Sequence, residues 1–314
     1  MKLSRQVREI INIVVFLLIL GIILTLYVIY PLTRTKDAMA RADIDRLSDD
    51  DDSDSLSDSL MVVNDPAAFV EAGLFVDTFR VEADGLTQLS CVFIKPDSTG
   101  PIDSARGTVF LVPPEWSDRT AMIPLAEALI DSGYNVVTYD QRATGGSTGK
   151  YHGEGRYEAS DLEALLAWLE LRNRLVHPLT VVGGGLGGDA ALLAAREEGR
   201  IDYVIAWHPY LTTTGWLDGL AERKGWLWFP FRRTVMWFWY NLRSGYAAPY
   251  REMDQINEVG CPTLVVEPTS GDSEAIERLR EVSPEHLLTI KTTESKDFEG
   301  DLNAIIGYIV APNK

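Results

Sequence analysis

Apolar residues are distributed along this chain in three regimes. From Ile10 to Tyr30 ("IINIVVFLLILGIILTLYVIY") they are almost continuous and no residue is charged. From Ala42 to Leu60 ("ADIDRLSDDDDSDSLSDSL") they are reduced to scattered Leu and Ile among Asp and Ser. From Met61 onward, short apolar runs alternate with amphipathic ones. "FRVEADGLTQLSCVFIKP" reads as two strands turned at Asp84-Gly85. "GTVFLVP", "YNVVTYD", "LTVVG", "IDYVIAW", "PTLVVE" and "HLLTIKT" read as further strands. Between them, "RTAMIPLAEALIDSG", "RYEASDLEALLAWLELR", "GGDAALLAAREEG", "SEAIERLREV" and "FEGDLNAIIGYIV" read as helices. In the second of these, Leu162, Leu165, Leu166 and Leu169 share one helical face. Short apolar strands separated by helices predict an α/β domain with a mostly parallel sheet covered on both faces.

The first regime predicts a membrane anchor. As a helix, residues 10–30 span about 31 Å, against a hydrocarbon core of about 30 Å. A cleaved signal peptide fits less well: its apolar core is shorter, and the small triplet Ala38-Met39-Ala40 lies too far beyond the run. The expected organisation is an anchor over 1–34, with the transmembrane helix at 10–30, a tether over 35–60 and an α/β domain over 61–314. Lys2, Arg5 and Arg8 precede the span, and Arg34, Lys36, Arg41 and Arg46 follow it. The positive-inside rule therefore does not choose a topology. An extracytoplasmic main domain is the expectation taken.

Charge refines this picture. Eight Asp against Arg46 give residues 42–60 a net charge of −7, out of −17 for the whole chain. Like charges this dense repel one another and bury no core, so a disordered tether is expected rather than a calcium loop. The acidic balance argues against nucleic-acid binding, which needs clustered positive charge. Cys91 and Cys261 match no metal or redox spacing, and their pairing stays open. No cofactor or metal is expected.

Three motifs then stand in order: "GYNVVTYDQRATGGSTG", "VVGGGLGGDAALLAA" and "CPTLVVEPTSGD". Together they resemble the α/β-hydrolase superfamily over roughly Phe75 to Ile309, and most nearly the membrane-anchored serine hydrolases of the Bem46 type. The resemblance implies an α/β-hydrolase fold with a cap insertion at about 211–250. It also implies a serine nucleophile on a sharp strand-to-helix elbow, served by an acid and a histidine.

Carried across residue by residue, the machinery is missing. The elbow frame is Gly183-Gly184-Gly185-Leu186-Gly187, with Gly185 at the serine position. The segment that should hold the histidine, "TTESKDFEG", offers Lys296 and Asp297 instead. Asp272 occupies the acid position. The strand leading to the oxyanion hole ends in Pro113 and Pro114, which lack N–H donors, and then Glu115. A carboxylate there would repel an oxyanion. The helix after Gly185 is expected to present free N–H groups from Leu186 onward, with Asp189 in its first turn competing for that positive end.

Of the four histidines, His177 and His286 precede strands, at the edge opposite a parallel sheet's active site. His208 and His152 lie at the right edge. With Ser147, Ser270 and Asp272 they could form a relocated triad. The plainer reading has Ser147 completing its loop and His208 packing beside Pro209. Six of eight tryptophans fall between Trp207 and Trp239. Trp226, Trp228, Phe229 and Trp237, interleaved with Arg232 and Arg233, read either as a cap over the pocket or as a surface for membrane headgroups. The expected function is a membrane-anchored pseudohydrolase that binds a lipid-like or acyl ligand or a protein partner. The alternatives are an active ester or amide hydrolase with relocated residues, and a structural membrane-associated domain.

Overall fold

A computed structural model describes residues 5–32, 66–115, 117–149, 152–153, 155–197, 199–223, 236, 261–268, 273–294 and 298–310. The expected tether and the aromatic–basic cluster from Trp226 to Trp237 lie outside these. Helix α1 runs Arg5–Leu32. Nine of its large apolar side chains, from Ile11 to Ile23, are between 45% and 64% exposed. Among the described residues no helix is long and apolar enough to cross a membrane, so the span expected over 10–30 is not found there. The side chains of residues 10, 17–18 and 24–30 fall outside that description.

After the short helix α2 (Ala67–Glu71), strands β1 (Val76–Glu82) and β2 (Gln88–Ile94) form the expected hairpin. Its turn is set by Asp84, whose Oδ1 accepts the N–H of Leu86 at 3.1 Å and of Thr87 at 2.8 Å. Gly85 supplies the left-handed residue at φ +74°. Strands β3 (Thr108–Val112), β4 (Asn135–Tyr139), β5 (Leu179–Gly184), β6 (Tyr203–Trp207), β7 (Thr263–Pro268) and β8 (Leu288–Thr293) complete one eight-stranded sheet. Its order is β1-β2-β4-β3-β5-β6-β7-β8. Both pairs that include β2 are antiparallel and the rest are parallel.

Helices α3 (Ile123–Asp131), α4 (Arg156–Glu170), α5 (Leu186–Glu197), α6 (Thr213–Arg223), α7 (Ser273–Val282) and α8 (Phe298–Val310) follow in sequence. The pleat divides the core in two. Phe110 and Val112 face a cluster built from α4, α5 and α7, while Val109 and Leu111 face one built from α3 and α8. The leucine stripe of α4 is wholly buried in the first cluster. Truncating any one of those leucines to Ala costs about 2–5 kcal/mol. Cys91 and Cys261 are buried, unpaired thiols.

Strand pairing decides what stands around the turn between β5 and α5. Val112 at the end of β3 pairs with Gly183, and Trp207 at the end of β6 pairs with Gly184. The loops that leave β3 and β6 therefore flank this turn on its two sides.

Candidate functional site

The elbow is a one-residue turn. Strand β5 stops at Gly184, helix α5 starts at Leu186, and Gly185 between them takes φ +50°. Its N–H donates to the Trp207 carbonyl at 2.9 Å, fixing the turn to the end of β6. On the other side the β3 loop presses close: a Cβ at Gly187 would fall 2.6 Å from the Pro113 carbonyl oxygen.

That closeness brings Glu115 into the elbow. Its side chain is buried, and Oε2 accepts the Leu186 N–H at 2.9 Å. A Cβ on Gly185 would overlap the same oxygen. The carboxylate thus occupies the space of the absent side chain and takes the first backbone donor of α5. Oε1 accepts the Tyr210 hydroxyl, delivered by the loop after β6. Both oxygens of a buried anion are satisfied, as burial of a charge demands.

Two expectations are corrected here. Leu186 does not present a free N–H, because Pro113 and Pro114 stiffen a loop that aims Glu115 at it. Asp189 does not cap its own helix either. Its Oδ1 accepts the Leu211 N–H at 2.9 Å and its Oδ2 the Tyr210 N–H at 3.3 Å. Backbone N–H groups enclosed in a fold need an acceptor, and the buried Asp189 carboxyl supplies one. Burial pushes the Asp189 pKa up to about 8, the two N–H bonds act against this, and the Glu115 and Glu158 charges add to it.

The other singled-out residues are engaged separately. Ser147 is fully buried; its hydroxyl donates to the Asp140 carbonyl at 2.5 Å and accepts the Ser90 N–H at 2.8 Å. It pins the 141–149 loop, the plainer of its two readings. His152 Nδ1 lies 3.0 Å from Glu158 Oε1, and Glu158 also accepts the Gly153 and Gly155 N–H groups at the start of α4. Burial raises the Glu158 pKa, but the hydrogen bond and charge of His152, with Arg142, hold it below the ordinary value.

His208 takes φ +47° and stacks on Trp207, its ring 4.1 Å away, rather than standing merely beside Pro209. Its Nε2 is 3.9 Å from Asp301 Oδ2, which accepts the Trp207 indole N–H at 2.8 Å. Burial lowers the His208 pKa, and Asp301 opposes that shift. His177 pairs with Asp202 at 2.6 Å before β5, away from the elbow. Asp272, Ser270, Lys296 and Asp297 lie outside the described residues. Among the described residues no cluster of His, Cys, Asp and Glu could hold a metal.

Several solved structures that share this fold are hydrolases by name. An esterase of Pyrococcus furiosus, Pf2001, superimposes with a TM-score of 0.62 at 20% identity, over 79% of this chain and 93% of its own. The α/β-hydrolase GrgF from Penicillium sp. sh18 gives 0.55 at 16% identity, over 76% and 99%. The 2,6-dihydroxy-pseudo-oxynicotine hydrolase gives 0.57 at 15% identity, over 75% and 67%. The fold is that of the α/β-hydrolases. The profile of the X-Pro dipeptidyl-peptidase (S15) family also matches residues 103–231, the stretch from β3 through the elbow into the aromatic insertion. Among curated proteins nothing matches.

Sequence reasoning missed Tyr210 and Asp301. One signal for Tyr210 was available: Gly215 and Gly219, four apart on α6, mark a helix face that something approaches closely. Asp301 carried no comparable signal.

Proposed function

We propose that this α/β-hydrolase-fold protein is a pseudohydrolase, held at a membrane by α1 and specialised for binding. The observation that carries this reading is the Glu115 carboxylate on the Leu186 N–H, in the space a nucleophile's side chain would need. Acyl transfer requires a nucleophile at the apex and an empty donor site for the developing oxyanion. Here the apex has no side chain, and the Leu186 donor already holds an anion. The resemblance to esterases is one of fold, and fold does not carry chemistry by itself. The ligand is an acyl or lipid-like molecule or a protein partner.

Anchoring is supported by the uncharged run 10–30 and by the exposed apolar side chains between Ile11 and Ile23, which a water-soluble fold does not leave bare in such number. The reading is tested by assaying the full chain, purified in detergent, against p-nitrophenyl esters of increasing acyl length. No turnover above a heat-treated control is expected. Saturable turnover that survives Glu115→Gln and is lost on replacing one serine would replace this reading with a relocated hydrolase.

A further inference from the structure

The loop between β6 and α6, residues 208–212, is held in an unfavourable backbone conformation. His208 and Leu211 both have positive φ, +47° and +61°, without being glycine. Such backbone conformations are unfavourable for non-glycine residues and persist where surrounding contacts enforce them. Those contacts come from α5, α6 and the β3 loop. Asp189, fully enclosed, holds the N–H groups of Tyr210 and Leu211. The Tyr210 ring lies on the glycine face of α6, where a Cβ at Gly219 would meet its Cε1 at 2.7 Å. A Cβ at Gly215 would meet the Tyr210 carbonyl oxygen at the same distance. Its hydroxyl reaches across to Glu115 in the elbow. Two buried carboxylates, a strained loop and a glycine cradle thus all serve to seat one half-buried aromatic ring.

We propose that Tyr210 is a built-in occupant of this protein's ligand position, and that the ligand displacing it carries a hydroxyl or amine on a flat apolar body. The inference rests on the reading that the elbow binds rather than hydrolyses. Its chemistry follows from Glu115. In an α/β-hydrolase the elbow offers donors to an oxyanion, but here the carboxylate has taken the Leu186 donor and presents Oε1 as an acceptor. Only a donor can replace the phenol there without leaving Glu115 unsatisfied. A carboxylate or phosphate would meet like charge. The apolar body fills the space of the Tyr210 ring against α6. Tyr210 competes from within the same chain, so a ligand must displace it, and the strain in residues 208–212 lowers the cost of that opening.

The test uses the full chain in detergent micelles, with p-cresol, toluene and p-toluate as probes of equal shape and different heads. In Tyr210→Ala, calorimetry should show p-cresol binding roughly tenfold or more tightly than toluene, the preference expected for a donor to a charged acceptor. p-Toluate should not bind. Adding Glu115→Gln should remove most of the preference, and the wild-type chain should bind p-cresol more weakly because Tyr210 competes. Equal affinity for p-cresol and toluene, tightest binding of p-toluate, or no binding by a normally folded variant would each overturn the proposal.

Hydrogen exchange on the wild-type chain keeps the idea testable should that variant not fold. The Tyr210 and Leu211 amides, held by Asp189, should exchange by local opening, about 100-fold or more faster than those of β5. Exchange of all three only through global unfolding would contradict the proposal. Ester turnover with donor preference intact would sink the pseudohydrolase reading alone; an inert chain without donor preference would sink this inference alone.

Discussion

Restoring a serine at the elbow gives the sharpest consequence of the Glu115 contact. Gly185→Ser places a Cβ where Glu115 Oε2 now lies, on a residue at φ +50°. A non-glycine residue in the left-handed region costs about 1–2 kcal/mol. Expelling the carboxylate loses a hydrogen bond to a charged group, worth about 1.5–3 kcal/mol. The variant should therefore be destabilised by about 2.5–5 kcal/mol, or roughly 5–20 °C in Tm for a domain of this size. Glu115→Ala removes the obstacle in advance. In Glu115→Ala/Gly185→Ser the overlap is gone and the hydrogen bond is already lost. The double variant should then cost less than the sum of the singles by about 1.5–3 kcal/mol. Thermal denaturation of the four proteins closes the cycle. A near-neutral Gly185→Ser, or strictly additive effects, would refute the placement of Glu115. Neither serine variant should hydrolyse esters, because no histidine stands in the segment after β8.

Two further outcomes follow. Asp189 binds its proton more tightly folded than unfolded, so the folded state holds more protons between the ordinary carboxylate value of 3.8 and about 8. Stability should accordingly fall as pH rises through that window, and Asp189→Asn should flatten the fall; an identical pH slope in the two proteins would show that this carboxyl is not the cause. Second, the full chain should float with liposomes in a density gradient and a variant lacking residues 1–34 should not. Equal flotation of both would remove α1 from membrane attachment.

Much of the fold was legible because it is written locally. The leucine stripe of α4, the Asp84-Gly85 turn and the short apolar strands each carry their period within a few residues, and each formed where expected. The deletion at Gly185 was legible for the same reason, since the elbow is contiguous in sequence. What the sequence hid is the replacement. Leu186 is 71 residues from Glu115, and Tyr210 is 95 residues from it. Nothing in the spacing of those residues reveals that the β3 and β6 loops meet over β5; the parallel strand order does. Asp189 misled for a related reason. Its position in the first turn of α5 suggests a helix cap, but two loop N–H groups approached it from outside its own helix. His208 likewise sits at the edge expected for a base, yet its ring spends a face on Trp207.

The most direct measurement is fluorophosphonate labelling of the full chain in detergent micelles, followed by peptide mapping. The account predicts no labelled serine above a heat-denatured control, since the elbow carries no nucleophile and its Leu186 donor is held by Glu115. A stoichiometric adduct mapped to one serine, blocked by prior denaturation, would contradict it and locate an active site elsewhere in the fold.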